Sequence, residues 1–191
     1  MNLGLNFFRK GVMTKMDAVS MLKQDHSKVK QLFQQFEETE DTQAKKHIAQ
    51  EAIKELKVHT ALEEEVFYPA ARQEIDEEEK IDEAVEEHHV AKLLIAELSK
   101  MTPSDERFDA KFKVLAESVK HHIEEEESEM LPEVEGELDT ERLGEKMAQR
   151  KQALEGRMNG VSSGRGSKKS SSSTRRGRSG KRRSATKTKR R

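Results

Sequence analysis

Two segments of this 191-residue chain share one sparse pattern of a histidine, a glutamate and a proline. In HTALEEEVFYP the pattern consists of His59, Glu63 and Pro69, and HIEEEESEMLP repeats it with the same internal spacing. Because residues four apart lie one helical turn from each other, an imidazole nitrogen and a carboxylate oxygen can face one point. Such a pair is suited to binding a metal ion. The repeated members are His122, Glu126 and Pro132.

Each copy is preceded by another histidine on a segment with helical apolar periodicity. These histidines are His26 in QDHSKVKQLF and His88 in EEHHVAKLLI. The first histidines of the two copies are 62 residues apart and the second histidines are 63 apart. The candidate ligands are therefore a duplicated set: His26, His59, Glu63, His88, His122 and Glu126.

Helical phase separates these histidines from the three others. Apolar residues follow His88 at the spacing of one helix face, whereas its neighbour His89 shares a face with Lys92 and Ser99. His88 is therefore the inward-facing member of the pair. The residues interpreted as lying on the surface are His47, His89, His121 and most of the glutamates.

Four imidazoles and two carboxylates form a ligand set for two divalent ions, because one ion would be saturated before it used all six. The expected arrangement gives each ion two terminal histidines and lets both glutamates bridge. With no cysteine in the chain, nitrogen and oxygen ligands suit iron or manganese, and zinc is an alternative. Burial of so many ionisable groups is unfavourable unless something pairs them, which argues against a purely structural role.

The same periodicity predicts the elements that position these residues. Strand-like alternation appears nowhere, so the predicted fold class is all-α: an antiparallel up-down-up-down four-helix bundle with a C-terminal extra helix and a disordered basic tail. The predicted helices cover about 17–38, 43–71, 76–98, 105–130 and, for the extra helix, 140–158.

Charge divides the chain into an acidic body and a basic tail. Residues 157–191 carry 14 Lys or Arg and no Asp or Glu, which leaves 22 basic and 37 acidic residues in 1–156, a net charge of −15. The tail is expected to be disordered because it has almost no apolar residues. The predicted organisation is an N-terminal extension (1–15), the bundle (16–135), a further helix or linker (136–160) and the Lys/Arg/Ser-rich tail (161–191).

The tail has three candidate partners. Without aromatic residues, any contact with nucleic acid would be to phosphates and independent of sequence. The alternatives are the acidic body of the chain itself and an anionic membrane surface.

No segment has the roughly 20 apolar residues of a membrane span, and the first twelve residues lack the features of a signal peptide. A cytoplasmic location is therefore expected. Met13 and Met16 are alternative starts to Met1, and the sequence leaves the oligomeric state open.

Residues 17–135 resemble the hemerythrin-like, or HHE cation-binding, family. The motifs that carry the resemblance are DHSKVKQLF, VHTALEEEVFYP, EEHHVAKLLIAEL and HHIEEEESEMLP. The resemblance implies a four-helix bundle with a non-heme di-iron centre that binds dioxygen, nitric oxide or peroxide, or that exchanges iron. It also implies that His26, His59, His88 and His122 are terminal ligands and that Glu63 and Glu126 are bridges.

The chain departs from the oxygen-carrying members at one position. Those members have a second histidine one turn after the first on the third helix, where this chain has Lys92. One metal would then lack a third imidazole, and water, the lysine amine or another group would take its place; alternatively, Lys92 points to solvent. The departure favours the branch of the family linked to iron handling, nitrosative or oxidative stress and peroxide chemistry.

Two main functional hypotheses follow. The first is a di-iron protein that binds or responds to a small oxidant (O2, NO or peroxide) or buffers iron, in stress protection. The second is a nucleic-acid-associated accessory protein that uses its basic tail, with the bundle as a metal-stabilised module. An iron-free helical scaffold is a third interpretation, and the residues do not distinguish binding from catalytic turnover.

Overall fold

The structure, a computed structural model, describes residues 16–76 and 78–163. Every regular element in these two ranges is helical, which confirms the all-α prediction. The elements are α1 (Ala18–Glu38), α2 (Thr42–Leu62), π1 (Glu63–Phe67), α3 (Tyr68–Glu74), α4 (Glu78–Leu98), α5 (Phe108–Glu125), π2 (Glu126–Met130), α6 (Leu131–Glu137) and α7 (Thr140–Ser163). The predicted extension 1–15 and the predicted disorder of the tail beyond residue 163 lie outside the described residues.

Side-chain caps set where the first helices begin. The Asp17 carboxylate accepts a hydrogen bond from the Ser20 N–H at 2.9 Å, and Asp41 accepts one from the Ala44 N–H at 2.6 Å. Both bonds satisfy a backbone donor that the first helical turn leaves unpaired. Because only three residues separate α1 from α2, the chain reverses direction there and the two helices pack antiparallel.

Both prolines of the repeated pattern lie inside a continuous helical segment. These segments end later than predicted, at Glu74 and Glu137 rather than near residues 71 and 130. Pro69 has no N–H, and in a regular α-helix its ring would clash with the carbonyl four residues earlier. The helix widens instead into π1, where the Tyr68 N–H donates to the Glu63 carbonyl. In π2 the Leu131 N–H donates to the Glu126 carbonyl in the same way. Each π-turn therefore begins at a glutamate of the repeated pattern.

The bundle core consists of two apolar clusters. One joins the start of α1 to the π-turns, α3, α6 and α7, with Leu22 and Phe67 fully buried. The other joins the end of α1 to the start of α2, the end of α4 and α5, and includes Phe33 and Phe112. This pairing of helix starts with helix ends is that of an antiparallel four-helix bundle. The predicted ligands occupy the level between the two clusters.

The extra helix α7 packs against the bundle. Its Leu143 and Met147 are buried in the first apolar cluster. Gly144 lets its backbone approach the start of α1 so closely that an added Cβ would lie 2.5 Å from the Met16 carbonyl oxygen and 2.8 Å from the Ala18 nitrogen. Among the helices that the structure describes, none is long and apolar enough to cross a membrane.

Candidate metal centre

The structure brings all six predicted ligands together. The first group of ligand atoms comes from His26, His59, Glu63 and Glu126, and the second from Glu63, His88 and His122. Within each group the atoms lie no more than 4.8 Å from one another. Because Glu63 belongs to both groups, the two form one continuous site, with one histidine from each of α1, α2, α4 and α5.

Glu63 directs its two carboxylate oxygens towards different histidines. Its Oε1 lies 3.1 Å from the Nε2 of His59, and its Oε2 lies 3.2 Å from the Nε2 of His88. His88 in turn faces His122, with 3.1 Å between their Nε2 atoms. A carboxylate placed in this way can bridge two cations, each of which would also bind two imidazoles.

Burial without hydrogen bonding is the feature that fits a metal. All six residues are no more than 5% exposed. Both oxygens of Glu63, both oxygens of Glu126, the Nε2 of His26 and both ring nitrogens of His59 have no hydrogen-bond partner within the described chain. Buried polar atoms are nearly always hydrogen-bonded, so these atoms are suited to binding cations.

Burial and mutual repulsion shift the acid–base properties of the site. Burial and then the nearby His26 hold the pKa of His59 well below its usual range, and burial and then His122 lower the pKa of His88 to about 4. Both imidazoles are therefore neutral and able to bind a metal at physiological pH. Burial and then the charge of Glu126 raise the pKa of Glu63 well above its usual range, because two buried carboxylates cannot both ionise cheaply.

Three carboxylates around the centre were missed by the sequence analysis. The Nδ1 of His26 lies 2.8 Å from Glu127, and the Nδ1 of His88 lies 3.0 Å from Glu64. Such contacts fix the ring orientation and direct the other nitrogen towards a metal. A signal was present, since in both copies of the pattern the inward glutamate is followed by a second glutamate. Each half of the bundle thereby orients a histidine of the other half.

The third missed carboxylate, Glu87, immediately precedes His88 and lies 2.8 Å from the Nδ1 of His122. Burial lowers the pKa of His122, but the hydrogen bond to Glu87 and the charge of Glu126 outweigh this effect and raise it. The corresponding contact in the first half would join Asp25 to His59.

In the structure that corresponding contact is replaced by a contact with α7. Asp25 binds the ammonium group of Lys151 at 2.5 Å, and the Nδ1 of His59 has no partner in the described residues. The packing of α7 therefore breaks the internal symmetry that the duplicated motif predicts.

Lys92 contacts a carboxylate rather than the predicted ligands. Its ammonium group lies 2.5 Å from an oxygen of Glu64, and its side chain is 45% exposed. Glu64 connects it to His88. Lys92 thus balances the charge of the carboxylate that orients His88, an arrangement that neither interpretation of this lysine predicted.

Comparison with known proteins identifies the class of protein that this fold and site define. The sequence profile of the hemerythrin HHE cation-binding domain matches residues 17–134. The chain therefore belongs to the hemerythrin HHE cation-binding domain family, which confirms the resemblance.

Two further proteins are similar to this chain. A crystal structure of a hemerythrin HHE cation-binding domain-containing protein from Mycobacterium kansasii shares the fold, with a TM-score of 0.66 and 24% identity over 78% of this chain and 94% of that one. A DNA nickase from Nostoc sp. is 29% identical over 157 residues, which are 79% of this chain. The chain spans 44% of the length of that curated relative.

Proposed function

We propose that this protein holds a non-heme di-iron centre and uses it to bind or respond to O2, NO or peroxide, or to buffer iron, in stress protection in the cytoplasm. The observation that carries the proposal is the set of buried glutamate and histidine atoms, at the level between the two apolar clusters, that form no hydrogen bond among the described residues. His26 and His59 would bind one ion, His88 and His122 the other, and Glu63 and Glu126 would bridge them.

Nitrogen and oxygen ligands without thiolate favour iron or manganese, with zinc as a further candidate. Iron is proposed because it would supply redox chemistry towards a small oxidant, which zinc does not. The chain's own contribution is to keep His59 and His88 neutral, to orient His26, His88 and His122 through carboxylates, and to exclude water with the two apolar clusters.

A small ligand has room beside the centre. A cavity of about 60 Å3 lies between α4 and α5–π2 and is lined by His122 and Glu126. Since roughly 10–15 Å3 of such volume is enough to hold one water molecule, the cavity has room for a diatomic molecule or peroxide.

Metal analysis after anaerobic iron loading tests the proposal, with about two irons per chain expected. Glu63→Ala and Glu126→Ala should each reduce the iron content strongly, because each removes a bridging carboxylate. Glu124→Ala is the matched control, since Glu124 is an exposed glutamate of the same run. Wild-type protein that retains no iron, or an equal loss in all three variants, would contradict the proposal.

A second candidate function is nucleic-acid association through the basic tail, with the bundle as a metal-stabilised module. Two observations favour it: the 14 Lys or Arg of residues 157–191, with no acidic residue among them, and the similarity of the chain to part of a protein named a DNA nickase. The two candidates are compatible, because the proposed centre lies in the bundle and the charge lies in the tail.

A further inference from the structure

The segment HHIEEEE contains two His-x-x-x-Glu pairs, one residue out of phase. The inner pair, His122 and Glu126, belongs to the buried centre. The outer pair is His121 and Glu125, whose Nε2 and Oε1 atoms lie 3.3 Å apart on the outside of the bundle. The sequence analysis assigned His121 to the surface, and its side chain is indeed 64% exposed.

Glu87 of α4 completes a third group of ligand atoms outside the buried centre. Its carboxylate and the ligand atoms of His121 and Glu125 all lie within 4.8 Å of one another. Glu87 also contacts the Nδ1 of His122 at 2.8 Å. The outer group is therefore one hydrogen bond away from a proposed ligand of the buried centre.

The cavity between α4 and α5–π2 connects the outer group to the interior. Glu87 and Glu125 line this cavity together with Glu126. Glu126 is only 2% exposed, and neither of its carboxylate oxygens has a hydrogen-bond partner among the described residues. A buried carboxylate that forms no hydrogen bond among the described residues thus faces the same space as two members of the outer group.

The charge of the cavity favours a cation over an anion. Five glutamates and one lysine line it, and that lysine, Lys80, lies 3.2 Å from one of the five, Glu129. A cleft lined by one sign of charge concentrates ions of the opposite sign and raises their rate of association.

We propose that Glu87, His121 and Glu125 form a docking site that receives a divalent cation and passes it through the cavity to the buried centre. The proposal rests on the proposed function, because the buried ligands are its destination. One imidazole and two carboxylates suit a borderline ion such as Fe2+ or Co2+. Only three ligands, with His121 and Glu125 partly exposed to solvent, hold such an ion loosely enough to release it inwards.

The test measures the rate of metal uptake separately from its extent. Full-length, metal-free protein is mixed anaerobically with Co2+, and the absorbance of the bound ion is followed by stopped flow. His121→Ala and Glu125→Gln should each slow uptake about tenfold: the first removes the imidazole ligand, and the second removes a ligand and part of the negative charge that attracts the cation. Both variants should still reach the wild-type final cobalt content, which also shows that they fold.

His89→Ala and Glu124→Gln are the matched controls. His89 is an exposed histidine of α4, and Glu124 is an exposed glutamate next to Glu125. Both should load at the wild-type rate. Wild-type uptake rates in His121→Ala and Glu125→Gln would overturn the docking site alone. A wild-type protein that binds no cobalt and no iron would overturn the docking site and the proposed function together.

Discussion

Glu63 and Glu126 combine deep burial with carboxylate oxygens that have no hydrogen-bond partner in the described chain. An ionised carboxylate in such a place is unfavourable unless a cation or a proton neutralises it. The two histidines nearest to Glu63 are poor counterions for it, because burial keeps His59 and His88 neutral. A charged Glu63 therefore destabilises the protein in the absence of metal.

This conflict predicts a pH-dependent gain in stability for Glu63→Gln in the metal-free protein. A carboxyl whose folded pKa is raised favours folding at low pH and loses that contribution as pH rises through the folded value. We therefore expect the variant to be more stable than the wild type at pH 8, by about 1–3 kcal/mol, with a gap that shrinks towards pH 5. Urea unfolding in chelator at both pH values measures it.

The lowered pKa values of His59 and His88 affect stability only as pH falls below the unfolded histidine pKa, so they do not contribute to the difference expected at pH 8. Glu124→Gln is the control and should match the wild type at both pH values, because Glu124 is exposed. A wild type as stable as Glu63→Gln at pH 8 would show that Glu63 is not held in an unfavourable state.

The contact of Lys92 with Glu64, which in turn contacts His88, predicts graded effects on metal affinity. Glu64→Gln should weaken binding by about 10- to 100-fold, the usual effect of removing a carboxylate that orients a histidine ligand. Lys92→Met should have a smaller effect, because Lys92 is 45% exposed and acts only through Glu64. Competition with a chelator of known affinity measures both.

Lys92→Arg retains the positive charge and should bind metal with the wild-type affinity. If Lys92→Met weakens binding more than Glu64→Gln does, Lys92 acts on the metal directly and not through Glu64.

At the scale of elements, two features position the site. The π-turns begin at Glu63 and Glu126. In each widened turn, the first glutamate and the glutamate after it both lie against a histidine of a neighbouring helix. The extra helix α7 covers one half of the bundle, where Lys151 binds the nearly buried Asp25. Because no described helix covers the other half in this way, the two proposed metal positions differ in their surroundings although their candidate ligands are duplicated.

The close packing of α7 on the start of α1 predicts that Gly144→Ala is destabilising. The new Cβ would lie 2.5 Å from the Met16 carbonyl oxygen, and relief requires the two backbones to separate, at a cost of about 1–3 kcal/mol. Gly156→Ala, in the same helix with nothing within 4 Å of its added Cβ, should be neutral or stabilising by up to about 1 kcal/mol.

Chemical denaturation of the two variants measures this difference. Equal stability of Gly144→Ala and Gly156→Ala would mean that α7 does not pack on α1 as described.

At the scale of the whole molecule, charge is divided along the chain. The acidic bundle repels phosphate, whereas residues 164–191 carry 13 Lys or Arg and no acidic residue. Binding of duplex DNA by this tail should therefore release counterions, and affinity should fall by orders of magnitude between about 50 and 200 mM salt. Fluorescence anisotropy with two unrelated DNA sequences should give the same affinity for both.

Truncation after Ser163, where α7 ends, should abolish DNA binding and leave helical content and metal stoichiometry unchanged. The truncated protein is thus the control for the full chain. DNA binding that survives truncation, or is absent from the full chain at 50 mM salt, would contradict the accessory function.

Much of the fold and of the candidate site follows from the sequence alone, because its determinants are periodic. Helical phase selected His88 over His89 and identified six residues that the structure brings together, and the duplicated spacing of histidine, glutamate and proline indicated two equivalent helix pairs. Their roles as metal ligands stay a prediction. Glu64 and Glu127, which follow the inward glutamates, were also visible as repeated residues. Their histidine partners lie on helices distant in sequence, so the sequence did not predict these contacts.

What only the tertiary structure decided depends on such distant contacts. Lys92 binds Glu64 from a neighbouring helix, and Lys151 binds Asp25 across 126 positions of sequence. Neither pairing is encoded in local periodicity, since each depends on how two helices are rotated and spaced when they pack. The close approach of Gly144 to α1 sets the spacing between α7 and α1. That spacing brings Lys151 to Asp25, so the two halves of the site differ although the sequence repeats their candidate ligands.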